Sequence, residues 1–363
     1  MKQVSTTRMA RVNTKRNGQL TIGLDLGDRF CYFCILNEEG EIIREDRVAT
    51  NKDALNKVFA KFKPCRIAME TGTHSPWVSR LLAALDYEVV VANAKNVRLI
   101  GESRKKDDRM DAQTLARLVR ADPKLLSPVR HRGAEAQEDL SLIRARASLV
   151  RSRTLLINAA RGLVKVTGER LRRSTTASVS VALAADLSPK MQKALHPLLQ
   201  AVEVLNQQIR ACDQQIEALA QTNYPDVALL KQVGSIGTLT ALTYILTLDY
   251  PLRFPKSRDA GCYVGLQPGR RSSGQSTPQM HITREGDAYL RTLLVQAAHL
   301  TLGPFGKDSD LRRWGLKLAA RGGKSGKKRA VVAVARKLAV LLHHLWVSAE
   351  EYAPFYNSCK VAA

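Results

Sequence analysis

The chain has 363 residues, 57 Lys and Arg against 33 Asp and Glu, a formal net charge of +24 and 45% hydrophobic residues. That length suits two or three domains with ample core, and the hydrophobic content is ordinary for a folded protein. The charge is not ordinary: it calls for a polyanion, nucleic acid before an anionic membrane surface, because Lys and Arg contacts to phosphate supply most non-specific nucleic-acid affinity. No membrane span is expected, since the longest apolar stretch, 330–347, is broken by Arg336, Lys337, His343 and His344 and fails the ~20-residue test.

In chain order, residues 1–19 are basic and polar with no apolar h-region of a signal peptide, and they read as a flexible arm of a cytoplasmic protein. Strands are predicted over 20–26, 30–36 and 41–48, with a hairpin turn at 37–40. Residues 53–62 have helical spacing at Leu55, Val58, Phe59 and Phe62. A strand at 66–69 delivers Glu70. A helix at 77–85, a strand at 88–92, a short element at 97–100 and a helix at 110–120 follow, ended by Asp122-Pro123. Three strands in a meander, then helix, strand, helix, strand and helix is the order of an RNase H-like α/β domain over 20–125. Cys31 and Cys34 form a C-x-x-C inside a predicted strand, where residues three apart face opposite sides. No second Cys or His pair completes a zinc site, so the six cysteines are expected to be reduced thiols.

Residues 134–222 change character. Leu140, Ile143, Ala147, Val150, Thr154 and Ile157 alternate steps of three and four, as do Leu198, Val202, Leu205, Ile209, Cys212, Ile216 and Leu219. That spacing averages 3.5 residues, the period of a coiled-coil seam. A long helical hairpin, a pair of dimerisation helices, or two helices packed on their own domain all satisfy it. The connection at 167–189 is rich in Ser, Thr and Arg and reads as a loop.

Residues 227–345 form a further, mostly helical domain. Gly234-Ser235-Ile236-Gly237 enters an apolar helix and resembles half of a helix-hairpin-helix, which offers backbone N–H groups to a phosphate. A tight helix–helix turn without a ligand fits equally. A Gly/Ser/Arg-rich loop spans 265–278, a helix 287–302 and a basic tail 312–344. Gly323-Lys324-Ser325 invites a P-loop reading, but no glycine precedes it at P-loop spacing and no strand leads in.

Two constellations could carry chemistry. Asp25 and Glu70 stand at strand ends, and Asp108 and Asp111 are three apart on one helix face, while Asp107 points away. Carboxylates at the ends of apolar strands are costly unless something binds them. Mg²⁺ or Mn²⁺ is the cofactor such hard oxygen donors would hold, and paired metal ions stabilise the attacking and leaving oxygens in phosphoryl transfer. Asp25-Leu26-Gly27 also occurs in actin-like ATPases, but their second Asp-x-Gly strand is absent. The second constellation is Arg270-Arg271-Ser272-Ser273-Gly274. A serine there could attack a phosphodiester with arginines stabilising the phosphate; by composition a loop that only contacts phosphate is the commoner case. Lys105 and Lys106, before the acid pair, are further phosphate contacts.

Together the motifs resemble those of the DEDD transposases, the insertion-sequence-110 family, which includes Piv-type DNA invertases. Gly23-Leu24-Asp25-Leu26-Gly27, Met69-Glu70-Thr71-Gly72 and Lys106-Asp107-Asp108-Arg109-Met110-Asp111-Ala112 resemble its RuvC-like domain. Val233-Gly234-Ser235-Ile236-Gly237 with Thr240-Ala241, Tyr263-Val264-Gly265-Leu266-Gln267-Pro268, Ser272-Ser273-Gly274 and Gly286-Asp287-Ala288-Tyr289-Leu290-Arg291 resemble its transposase domain. Gly-Ser-Ile-Gly replaces the commoner Pro-Gly-Ile-Gly. The resemblance implies a RuvC-like domain, a coiled-coil insertion and a serine-bearing domain. It implies Asp25, Glu70, Asp108 and Asp111 as metal-site acids and Ser273 as the nucleophile of a covalent DNA–serine link, with Ser272 the adjacent alternative. It also implies DNA as substrate, an element-encoded structured guide RNA and a homodimer or larger assembly at the bacterial nucleoid. The competing expectations are a RuvC-like nuclease using activated water and a catalytically silent RNA-binding protein.

Overall fold

The computed structural model describes residues 20–94, 107–271, 273, 274, 276, 278, 280–323 and 325–356. The arm at 1–19, the element at 97–100, Lys105, Lys106, Ser272 and Cys359 lie outside the described residues. The chain divides into two compact units, 1–131 and 132–363.

The first unit is a five-stranded sheet with helices on both faces. Its strands are β1 (Thr21–Leu26), β2 (Phe30–Leu36), β3 (Ile42–Ala49), β4 (Arg66–Glu70) and β5 (Glu88–Ala92), in the order β3-β2-β1-β4-β5. β1, β2 and β3 are antiparallel neighbours, whereas β4 pairs with β1 and with β5 in parallel. The two-residue period of a strand sorts the side chains. Ile22, Leu24, Ile67 and Met69 point into a core with Leu55 and Phe59 of α1 (Lys52–Phe59) and Val78 and Leu82 of α2 (Ser75–Ala84). Cys34, Leu36 and Ala68 point the other way, toward Ala112, Leu115, Ala116 and Val119 of α3 (Asp108–Ala121). Asp25 and Glu70 share the parity of Gly23 and Ala68, which places both acids on the α3 face.

Gly23 sets how close that helix comes. A Cβ there would overlap the Ala112 carbonyl oxygen and the Ala116 amide nitrogen, so only glycine lets α3 lie directly on β1. The helix starts two residues before the expected 110. Asp107 is its N-cap, its carboxylate accepting from the Arg109 N–H at 3.0 Å, which puts Asp108 and Asp111 in the first turn, where the helix dipole favours negative charge.

The second unit is helical. α4 (Ala134–Val166) and α5 (Pro189–Asn223) pack on each other in antiparallel. Arg146 pairs with Asp213 and Arg153 with Asn206, a step forward on one helix matching a step back on the other. Leu140, Ile143, Ala147 and Ile157 of the expected seam are buried, as are Val202, Ile209 and Ile216. Thr154 is exposed; its hydroxyl donates to the Val150 carbonyl. Buried Asn206 fixes the register at that level, accepting from Arg153 and donating to the Thr176 and Ala177 carbonyls. The connection expected as a loop contains 3-10 turns at Thr176–Ser178 and Val181–Ala184, and Val179, Ala184 and Leu187 complete a core with Leu195, Leu199 and Val202. The apolar residues interspersed among the Ser, Thr and Arg of this stretch are enough to order it.

The rest is α6 (Asp226–Leu230), α7 (Thr238–Leu248), α8 (Ser257–Tyr263), α9 (Ala288–Leu302), α10 (Asp310–Ala320) and α11 (Gly326–Ser348). α11 is long and apolar enough to cross a membrane, at a mean hydropathy of 1.5. More than half of that stretch is buried within the protein, with Val334, Leu338, Leu342 and Trp346 facing Leu242, Tyr244 and Leu294 in one core. Burying each such side chain contributes about 1.5–3 kcal/mol, so this helix behaves as the core element of its unit.

Candidate active site

The first unit brings three of the four predicted acids together. Asp25, Asp108 and Asp111 each offer a carboxylate oxygen within 4.8 Å of the others. Asp25 is half-buried at the end of β1, and the helical pair is exposed. Asp108 and Asp111 lie three apart and extend the α3 stripe of Ala112, Leu115, Ala116 and Val119 that packs on the sheet. Thus the packing that buries that stripe also aims its acidic end at Asp25. Glu70, ending the neighbouring parallel strand, is close enough to act on the Asp25 carboxyl electrostatically.

The charges oppose one another. Burial, then Asp108, Asp111 and Glu70, pushes the Asp25 carboxyl up to about 6, against a backbone hydrogen bond at Leu26 that favours the anion. Such a pile-up of like charge relaxes when a cation is shared. The donors are carboxylate oxygens without a thiol or imidazole among them, the hard set suited to a divalent cation such as Mg²⁺ or Mn²⁺ rather than to zinc.

Sequence reasoning missed the hydrogen bonds that hold the loops after β1 and β4. Asp28, in the turn after β1, lies 3.4 Å from His74 Nε2, and Trp77 Nε1–H donates to His74 Nδ1 at 3.1 Å. The indole thereby fixes the imidazole with Nε2–H toward Asp28. Ser75 is fully buried. Its hydroxyl bonds the Gly72 amide and carbonyl and lies 2.9 Å from His131 Nε2, which closes the loop after Glu70. These pairs are 46 and 56 residues apart, beyond the reach of local pattern.

Ser273 belongs to the second unit. It is exposed at the tip of a hairpin, where its N–H and carbonyl pair with Ser276 at 3.1 and 3.0 Å across a turn in which Gly274 adopts φ +56°. Arg270 and Arg271, three and two residues before it, are both exposed. The stem is tied by the backbone: Gly269 N–H donates to His281, Thr283 N–H to Gln267 and Arg284 N–H to Gly265. At its base, a Cβ on Gly265 would overlap the Glu285 backbone and one on Gly286 the Tyr263 carbonyl. Arg291 Nη1 donates to the Val264 and Glu285 carbonyls, and Asp287 caps α9 at the Leu290 N–H while pairing with Arg144 of α4. The Gly286–Arg291 motif therefore clamps the two ends of the serine loop.

The Gly-x-x-Gly turn faces both a lysine and a carboxylate. Gly237 precedes the first residue of α7 with no side-chain cap, and a Cβ on Gly234 would press on the Lys307 side chain. Yet Glu217 hydrogen-bonds to Thr238 at that helix start, and this bond holds its carboxyl below the usual range. An anion arriving there would meet a carboxylate already in place.

Two family models match this chain. A DEDD-type IS110 family model described as "Transposase" matches residues 22–168, and one described as "Transposase IS116/IS110/IS902 family" matches 227–309. The chain belongs to the IS110 transposase family. A relative named "Transposase for insertion sequence element IS1111A" in Coxiella burnetii is 27% identical, covering 91% of this chain and 90% of its own length. A "Probable family 20 transposase" of Pseudomonas aeruginosa is 28% identical over 70% of this chain and 77% of its own, and the transposase for element IS1328 of Yersinia enterocolitica 27% over 77% and 83%. The family model implies an RNase H-like fold for the sheet unit of this transposase, and its extent reaches into α4, beyond the sheet.

Proposed function

We propose that this transposase cuts and rejoins DNA through a covalent link to Ser273. The Ser273 hydroxyl attacks the scissile phosphorus: a serine–phosphorus ester forms, the bond from phosphorus to one strand's oxygen breaks, and the released hydroxyl takes up a proton as the serine loses one. Rejoining reverses this, a strand hydroxyl displacing the serine. The ester preserves the phosphodiester energy, so no nucleotide cofactor is consumed. Asp25, Asp108 and Asp111, with Glu70, would hold Mg²⁺ or Mn²⁺, which when bound would offset charge on the phosphate oxygens. Arg270 and Arg271 bring positive charge beside the serine. Ser272, Lys105 and Lys106 serve as phosphate contacts.

The observation that carries this reading is the convergence of three carboxylates on one sheet face in a chain of net charge +24; carboxylates so placed in a cationic protein suit metal-assisted chemistry on a polyanion. By the family likeness, a structured RNA from the element guides the choice of DNA. Paired strand breaks call for at least a homodimer, with the α4–α5 hairpin as the coiled-coil element, acting at the nucleoid.

DNA incubated with the protein and Mg²⁺, run on a denaturing gel with and without protease, tests the reading. A shifted band that protease collapses, absent for Ser273→Ala and for Asp25→Asn, is expected. Cleaved ends free of protein would instead establish a nuclease using activated water, and no breaks at all a silent binder.

A further inference from the structure

A groove of about 1430 Å³ lies in the second unit, walled by the stem of the serine loop, by α10, by one face of α11 and by residues 350–356. Seven Lys and Arg side chains line it against three carboxylates. α11 is split lengthwise. Ala330, Val334, Leu338 and Leu342 face the core. Lys328, Arg329 and Arg336, with Val332 and Val340, face the groove. Across from them stand Pro268, Ile282 and Arg284 of the serine-loop stem, and Lys317 with Trp314 of α10.

The cations differ in how they are engaged. Arg313 is bound to Asp308, and Lys337 Nζ sits 4.0 Å over the Trp314 ring. Arg284, Lys317, Lys328 and Arg329 are exposed and, among the described residues, stand in no salt bridge. Their charge is therefore available to a ligand. A cationic rim over an apolar floor matches a polynucleotide strand, whose phosphates need charge while its sugars and bases need apolar contact. From Lys328 to Arg336 the helix rises about 12 Å, a cationic run that tracks more than one successive phosphate of a single strand.

The geometry points to this groove as the seat of the DNA strand that flanks the phosphate attacked by Ser273, because one of its walls is the stem that carries Ser273 to its tip. The inference rests on the serine reading above, and it adds a strand-holding surface that the motif residues do not include. Lys317, Lys328 and Arg329 make the phosphate contacts; Trp314 and Ile282 make the floor.

The test uses the full chain and a fluorescent single-stranded DNA oligonucleotide, with affinity measured by anisotropy across a salt series. Each phosphate contact on a single strand contributes about 0.7 to the slope of log affinity against log salt. The variant Lys317→Gln, Lys328→Gln, Arg329→Gln should lose about two from that slope and at least about tenfold in affinity at moderate salt. The charge-keeping variant Lys317→Arg, Lys328→Arg, Arg329→Lys should restore both, which separates the effect from misfolding. DNA carrying 5-iodouracil should photo-crosslink to the peptide holding Trp314. An unchanged slope and affinity in the Gln variant overturns the proposal, as does a loss confined to an RNA oligonucleotide of the same length. If the wild type forms no protein–DNA adduct while the Gln variant still loses slope, the serine reading fails and the groove stands; the converse sinks the groove alone.

Discussion

The two units hold their reactive groups in different ways. In the first, Asp25, Asp108 and Asp111 are aimed by the packing of a helix on a sheet, and the contact at Gly23 leaves no slack. In the second, Ser273 sits exposed on a narrow hairpin whose base is locked by Gly265, Gly286, Asp287 and Arg291. The difference follows from what each must do. Carboxylates that share a cation need fixed spacing at the scale of tenths of an ångström, whereas a nucleophile that reaches a bound strand gains from an exposed tip on a fixed stem.

Substitutions can break that contrast. The largest effect is expected for Ser273→Ala, which should remove the protein–DNA adduct by at least about a thousandfold while leaving stability within about 0.5 kcal/mol, since Ser273 is exposed; a gel and a denaturant melt read the two. Gly23→Ala should do the opposite, costing about 3 kcal/mol because the added carbon meets backbone rather than a movable side chain, and weakening divalent-cation binding as α3 shifts. Asp287→Ala should cost about 1–2 kcal/mol, losing an N-cap and leaving Arg144 without its partner, and should slow adduct formation without changing the acid site.

The smallest effect is a pH dependence. Burial and its acidic neighbours raise the Asp25 carboxyl from 3.8 to about 6, so without metal the folded chain binds that proton more tightly than the unfolded chain does. The associated stabilisation is full below about pH 3.8 and is lost as pH rises through about 6. A divalent cation needs the anion, so the rise in melting temperature on adding Mn²⁺ should grow across the same window. In Asp25→Asn that growth should vanish.

Much of this was legible in the chain. The strand and helix order of the first unit follows from apolar periodicity, and the parity of Gly23 with Asp25 and of Ala68 with Glu70 already assigns the acids to one face. The three-four spacing marked both hairpin helices. Other features were hidden because they are not local. Gly23 looks like a weak point in an apolar strand until a helix from 90 residues later lies on it. The Ser75–His131 and Asp28–His74 pairs carry no periodic signal. Asp287 and Arg291 look chemical in a motif, and their hydrogen bonds assign them to holding the loop.

The most direct test of the account is to digest the adduct formed on DNA in Mg²⁺ and locate the nucleotide by mass spectrometry. A nucleotide on Ser273, absent when Asp25 is changed to Asn, is the predicted result. A nucleotide on Ser272 or any other residue, or an adduct on Ser273 that forms undiminished without the Asp25 carboxylate, would contradict it.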